Sequence, residues 1–503
     1  MSEQQKIGLF IKSIREARGM TQGEFAKSLH TSQSAVARME GGNQNFTTQV
    51  LEKISHVLGR RIITMSDSID FQIEGGRKLH GSIVTNASKN GALGVLSAAI
   101  INQGKTTLHG IPRIEEVNRF IEVLQSIGFA VEWIGPNSVS ITPPQKILMK
   151  GLDHEAAGKI RSILMLIGGL IHHEKVFHIP HAGGCKMGQR TIAAHRYGLE
   201  ALGVKILTHE NEYEVRVGKL KGADITLYEA SDTATENLLI AAACIPAQTT
   251  ISFATPNYQV QDVCFFLEKM GVQIEGIGTS TLIVHGMSHI NMSVEYENSE
   301  DPIESMMFLS AAITTNSQLT VTRCPIEFIK LELLKLEKMG LKYSILKNYF
   351  AKNGRTKLAD ITVYPSKLRA PADKIHAQPY PGINTDNLPF FVPIATQAVG
   401  TTLIHDWMWE NRAIYFVELN KLGAKVTLAD PHRAFVQGPT PLKAAQVVCP
   451  PALRPAMIIL IAMLAAKGTS VLRNVYSINR GYEEIAHRLN TIGAKITVLS
   501  GIA

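Results

Sequence analysis

Six times along the chain, an apolar stripe at helical spacing runs into a glycine and then gives way to alternating apolar and polar positions. The copies read VLQSIGFAV, GLEALGVKI, FLEKMGVQI, KLEKMGLKY, ELNKLGAKV and RLNTIGAKI, with glycines at 128, 203, 271, 340, 423 and 493. Each predicts the end of an amphipathic helix, a glycine in the position just past it, and a strand buried on one face. A polar turn entering another strand precedes most copies: GKTTLHGIP, AQTTISFAT, SQLTVTRCP, GTTLIHDWM and GTSVLRNVY. The unit is therefore helix, turn, strand, helix, glycine, strand. A period of roughly 70 to 80 residues predicts a packed pseudo-symmetric α/β fold rather than a thin solenoid. Three copies precede and three follow the polar stretch EYENSEDP near residue 300, so two similar lobes with a ligand cleft are expected.

The first sixty residues follow a different rule. Thr21 with Glu24 predicts a capping box and a helix start. Thr31 is expected to cap a second helix that runs through Glu40 and stops at Gly41-Gly42. Two short helices joined by a tight turn make a helix-turn-helix, whose second helix can enter the major groove of DNA. Residues 1–64 hold nine Lys/Arg and five Asp/Glu, half of the chain's excess of +8 in an eighth of its length. TQGEFAKSL…SQSAVARMEGG resembles the repressor-type helix-turn-helix family, which implies that Gln33, Ser34 and Arg38 face bases or phosphates. One such domain reads half a site, so DNA binding calls for a homodimer. A helical bundle used only for docking is the alternative.

Composition narrows the class. Across 503 residues, 45% apolar and 19% charged content describes an ordinary globular protein of about three domains. Cysteines 185, 244, 264, 324 and 449 are scattered and odd in number, as suits a reducing cytoplasm. No signal peptide is evident, and the apolar run AMIILIAMLAA at 456–466 is too short to span a membrane and predicts a buried helix. His172, His173, His178 and His181 lie close together in IHHEKVFHIPH, but their spacing fits no common closed metal site, and no metal is expected.

Chemistry-bearing residues sit at the starts of apolar helices and on glycine-rich loops. Lys89 and Asn90 lie in NASKNGAL, Arg161 in KIRSILMLIGG, Asp386 in PYPGINTDN, Arg412 in WENR, Arg454 in ALRPAM and Arg480 in INRGYEE. Cations at helix starts oppose the macrodipole, so several of them together point to a ligand with several negative charges. Cys185, in HAGGCKMGQR, is flanked by Lys186 and Arg190, a setting that lowers a thiol pKa and makes it reactive.

SKNGAL, GGCKMGQR, TATEN, PYPGINTDN, ENR and INRGYEE, in that order over residues 69–503, resemble the enolpyruvyl transferase superfamily, on the branch whose acceptor is UDP-N-acetylglucosamine. The resemblance implies a two-lobed inside-out α/β barrel of six repeats, three per lobe. One lobe would span 88–299 and carry the cysteine lid, and the other 69–87 with 300–503. It implies transfer of the enolpyruvyl group of phosphoenolpyruvate to a nucleotide sugar, without a cofactor, for peptidoglycan synthesis. Asp386 would be the base at the acceptor hydroxyl, and Cys185 would act on phosphoenolpyruvate from a lid. Lys89, Arg190 and Arg480 would hold the phosphate and carboxylate, assisted by Arg454. Asn90, Arg161, Ser231 and the backbone near Met408 would hold the nucleotide sugar, and Arg412 would be a further substrate-binding residue.

The departures from the family pattern cluster on the acceptor side. Thr191 stands where the family has proline, Ala193 and Ala452 where it has aspartate, Ser231-Asp232-Thr233 where it has Ser-Val-Gly, and Asn479 where the last motif has Asp. Two other functions therefore stand beside the first: an enolpyruvyl transferase for another nucleotide acceptor, and a DNA-binding regulator whose enzyme-like body senses a ligand.

Overall fold

The computed structural model describes residues 3–42, 48–57, 69–181, 183 and 191–500. Two compact units are resolved: Met1–Phe71 with Val498–Ala503, and Gln72–Thr497.

The first unit holds α1 (Glu3–Ala17), α2 (Gln22–Ser28), α3 (Gln33–Glu40) and α4 (Thr48–Val57). The capping box is present: Thr21 Oγ1 accepts from Glu24 N, and Glu24 accepts from Thr21 N at 2.8 Å. The expected cap at Thr31 is corrected to Ser32, whose hydroxyl accepts from Ala35 N. Thr31 is occupied elsewhere, because its N–H donates to Ala26 O and closes α2, with His30 left-handed at φ 52°. Ile11, Phe25, Leu29, Val36, Met39 and Ile54 form the core of this unit. Beside it, Arg15 and Glu40 make a buried ion pair, with Nε–Oε1 at 2.5 Å and Nη2–Oε2 at 3.1 Å, and Gln22 donates to the same carboxylate. Gln33, Ser34 and Arg38 all lie exposed on α3.

In the second unit the six repeat glycines all have positive φ, from 82° at Gly423 to 106° at Gly128. The reason is a shared helix ending. At Gly128 the glycine N–H donates to Gln125 O while Phe129 N–H donates to Leu124 O, and the same two bonds recur at Gly271, Gly340, Gly423 and Gly493. That geometry requires a left-handed residue, which only glycine adopts without a Cβ penalty. One helix differs from expectation: Ala413–Leu422, ahead of Gly423, is wound as a 3₁₀ helix.

Six sheets result. Those built around the strands Thr106–His109, Glu212–Val217 and Gln248–Ser252 belong to the first three repeats, and those around Leu319–Pro325, Gly400–His405 and Gly468–Arg473 to the last three. In five of them an outer strand lies parallel to the first strand of its repeat unit, as where Val294–Glu297 pairs with Thr106–His109. The early strands Ile69–Gly75 and Ser82–Val84 join sheets of the last three repeats, Ser82–Val84 lying parallel to Leu319–Pro325.

Sheet strands alternate buried and exposed positions, so they are wetted on one face. The helices they cover are buried all round. In α5 (Lys89–Ala98) every residue from Gly91 is buried, and so are Ala234–Ala243, all of Pro302–Thr314, and Arg454–Leu464 within Leu453–Ala465. Sheets outside and apolar helices within make the inside-out α/β barrel that the resemblance implies. No helix of the described residues is long and apolar enough to cross a membrane.

Candidate active site

The starts of these buried helices converge. Ser88 caps α5 by accepting from Gly91 N, which sets Lys89 and Asn90 in the first turn. Arg161 opens the short helix Arg161–Met165, Ser231 caps Asp232–Ala243, and Arg454 lies in the first turn of Leu453–Ala465. All five line one cavity of about 530 Å³, together with Asp386, Met408 and Arg480.

Asp386 is held from both sides. Arg454 Nη2 and Nε donate to Oδ2 at 3.0 and 3.2 Å, and Arg412 Nη1 lies 3.7 Å from Oδ1. Burial alone would favour the neutral acid, yet the two guanidinia outweigh it and hold the Asp386 pKa below the ordinary carboxylate value. Its loop is pinned by buried Glu332, which accepts from Asn384 N and from Asn387 Nδ2 at 2.9 Å. Arg454 also donates to Tyr482 OH at 2.7 Å, and Asp386 and Asp301 keep the guanidinium charged despite its burial.

Arg412, expected among the substrate-binding residues, is fully buried and does not line the cavity. Its Nε and Nη2 grip Asp406 at 2.5 and 2.9 Å, and Nη2 also donates to Thr385 O at 2.6 Å. Its remaining nitrogen faces Asp386, so it braces the carboxylate from behind.

Lys89 Nζ pairs with Glu116 at 3.0 Å, both side chains being largely buried. Burial raises the Glu116 pKa, but Lys89, Arg480 and Arg454 overcome this and hold the group ionised. Asn90 donates to Tyr258 OH at 3.0 Å, and Arg161 Nη2 to Thr191 O at 3.1 Å. Asp232, the residue foreign to the family pattern, accepts from Asn257 at 2.9 Å; burial raises its pKa despite that bond. Cys185 and Arg190 lie outside the described residues.

Sequence reasoning missed Glu116, Glu332, Asp406 and Tyr482, each of which helps to hold a charged residue or loop of the cavity. The four histidines have separate partners: His172 donates to Ala241 O, His173 donates to Ile100 O, His178 pairs with Glu212, and His181 packs against the Tyr213 ring at a tilt of 42°. Burial lowers the His172 pKa to about 4.

Among the described residues the cavity thus offers four cations, each rooted at a helix end or turn, with Asp386 fixed between two guanidinia and Glu116, Asp232 and Glu236 also in its lining. It can bind a small polyanion and move a proton at Asp386.

Known proteins match both parts of the chain. The family pattern of EPSP synthase (3-phosphoshikimate 1-carboxyvinyltransferase) matches residues 73–489, and a helix-turn-helix pattern matches residues 11–63. The UDP-N-acetylglucosamine 1-carboxyvinyltransferase of Bradyrhizobium diazoefficiens is 34% identical over 430 residues, covering 85% of this chain and 97% of that protein. That of Treponema denticola is 34% identical over 427 residues, covering 85% and 98%. Among solved structures, the enolpyruvyl transferase NikO from Streptomyces tendae superposes with a TM-score of 0.73 at 22% identity, over 86% of this chain and all of that one. EPSP synthase from Acinetobacter baumannii superposes with a TM-score of 0.66 at 18% identity, over 86% of this chain and all of that one. The chain belongs to the EPSP synthase (3-phosphoshikimate 1-carboxyvinyltransferase) family of enolpyruvyl transferases, and it carries an N-terminal helix-turn-helix domain in addition.

Proposed function

We propose that this protein transfers the enolpyruvyl group of phosphoenolpyruvate to UDP-N-acetylglucosamine, a step toward peptidoglycan, and that residues 1–64 bind DNA. The observation that carries the reading is Asp386, kept ionised between Arg454 and Arg412 on the wall of a cavity that also presents Lys89 and Arg480. Support comes from two relatives named UDP-N-acetylglucosamine 1-carboxyvinyltransferase, at 34% identity over most of both chains.

Addition joins the acceptor oxygen to C2 of phosphoenolpyruvate as a proton reaches C3. Elimination removes that C3 proton and expels phosphate, leaving the enol ether. An ionised Asp386 takes the proton from the acceptor hydroxyl. Lys89, Arg190, Arg454 and Arg480 neutralise the phosphate and carboxylate of the donor, and Asn90, Arg161, Ser231 and Met408 contact the nucleotide sugar. Cys185 supplies a thiol that acts on phosphoenolpyruvate. No cofactor enters these steps.

Turnover of phosphoenolpyruvate with UDP-N-acetylglucosamine, read as released phosphate, tests this reading. Saturable release is expected. Asp232 favours a second reading, because it sets a carboxyl in the cavity wall beside Ser231. Phosphate release only with a different nucleotide acceptor would establish that alternative. No release with any acceptor, together with ligand-dependent DNA affinity, would make the protein a regulator.

A further inference from the structure

One turn along the helix that Ser231 caps, Glu236 is completely buried in the cavity wall. Neither of its carboxyl oxygens has a hydrogen-bond partner among the described residues. An unpaired carboxyl in such a place costs several kcal/mol unless a ligand or water completes it. Its seat is specifically shaped: a Cβ at Gly94 of α5 would come within 2.8 Å of Glu236 Oε1, so glycine there leaves room for the acid. Asp232 stands four residues earlier on the same helix face. At that spacing Asp232 disfavours ionisation of Glu236. Burial first, and then Asp232 and Asp262, push the Glu236 pKa well above the usual carboxylate range, opposed by the nearby Gln259 amide, which lies outside hydrogen-bond geometry. The surroundings of Glu236 therefore favour the protonated form, which has an O–H to donate.

This inference rests on the transferase reading above and deepens it. We propose that Glu236 is a specificity-determining residue that hydrogen-bonds an oxygen of the acceptor sugar, which gives the buried O–H its acceptor. The donor substrate is a trianion that belongs with Lys89, Arg454 and Arg480, whereas Glu236 shares a helix face with Asp232 and lines the cavity with Ser231 and Gln259. A neutral acid suits an uncharged hydroxyl or amide oxygen of a sugar.

Steady-state kinetics of the full chain with UDP-N-acetylglucosamine and phosphoenolpyruvate test the assignment. Glu236→Gln keeps an N–H donor and the size of the group, so both KM values should stay within about threefold. Glu236→Leu removes the donor and should raise KM for the acceptor by roughly tenfold, the worth of one hydrogen bond. KM for phosphoenolpyruvate should stay within about twofold, with thermal unfolding unchanged. Glu236→Met, matched in length, replaces the leucine variant if that one does not fold. An acceptor KM unchanged in the apolar variants overturns the proposal, as does an equal rise for both substrates, which marks a purely structural acid. Wild-type protein that turns over another acceptor but not UDP-N-acetylglucosamine overturns the transferase reading for this sugar, and the same KM split is then measured with that acceptor.

Discussion

Cys185 stands apart from the other four cysteines in ways that alkylation can read. Burial holds the thiols of Cys244, Cys324 and Cys449 up to about 12, and pushes Cys264 up as well. A buried neutral thiol is a poor nucleophile, whereas Cys185 is flanked by Lys186 and Arg190. Iodoacetamide at neutral pH should therefore label Cys185 first, and phosphoenolpyruvate should slow that labelling. Peptide mapping that found even labelling of all five would reverse the assignment. Asp386→Asn should bind both substrates within a few fold of wild type and lose at least about a hundredfold in turnover, as for a lost proton acceptor. The pH profile carries a sign. Because Arg454 and Arg412 depress the Asp386 pKa, its ionised form, and the stability its pairing contributes, are fully present above the ordinary carboxylate range. Both are lost only as pH falls through the depressed value. An acid limb of kcat lying above the ordinary carboxylate range would assign that limb to another group.

Among the elements, the four helices at the N-terminus are small enough for one polar contact to matter. Arg15 and Glu40 tie α1 to α3 through a buried pair, with Gln22 of α2 joining it. Breaking such a pair by removing one partner costs about 3–5 kcal/mol, since the other charge is left buried and unpaired. Arg15→Ala should therefore unfold this helical unit in the full chain and abolish DNA binding, while phosphate release persists. Circular dichroism with the turnover assay checks this. The double substitution Arg15→Met with Glu40→Leu should restore the fold, because no lone charge remains. In the second unit the comparable feature is the helix ending at each repeat glycine. Gly271→Val would force a branched side chain into φ 91° and should lower Tm with little change in KM, because residue 271 lies outside the cavity lining.

At the scale of the whole molecule, the chain joins a helix-turn-helix domain to an enzyme body. If Gln33, Ser34 and Arg38 reach DNA, affinity should fall with salt by roughly one log unit per log of salt for each phosphate neutralised. Arg38→Ala and Gln33→Ala should weaken binding without altering turnover, because both lie exposed on α3 outside the core of that unit. Selection of bound sequences from random DNA, with and without both substrates, measures this directly. A shift in the selected site or its affinity on adding substrates would mean that ligands distinguish two DNA-binding arrangements. Binding no tighter than that of residues 69–503 alone would leave the N-terminal domain a docking role.

Features that are local and periodic could be read from the chain alone. Six glycines one step past a helix end, apolar runs such as residues 456–466 and the Thr21–Glu24 box were all legible, because each depends on neighbours within a few residues. The cations of the cavity were legible too, since a charge at the head of an apolar helix is conspicuous in one dimension. What neutralises them was not. Glu116 lies 27 residues from Lys89, Asp386 lies 68 from Arg454, and only packing brings them within 3.0 Å. The same limit explains Arg412, whose sequence setting suits a ligand contact but whose side chain turns inward to Asp406. Which face of a loop points to water, and which carboxyl a guanidinium meets, is decided by how helices from different repeats stack. That stacking is a property of the tertiary fold, where the low polarity of the interior makes each long-range pair strong enough to choose the side-chain direction.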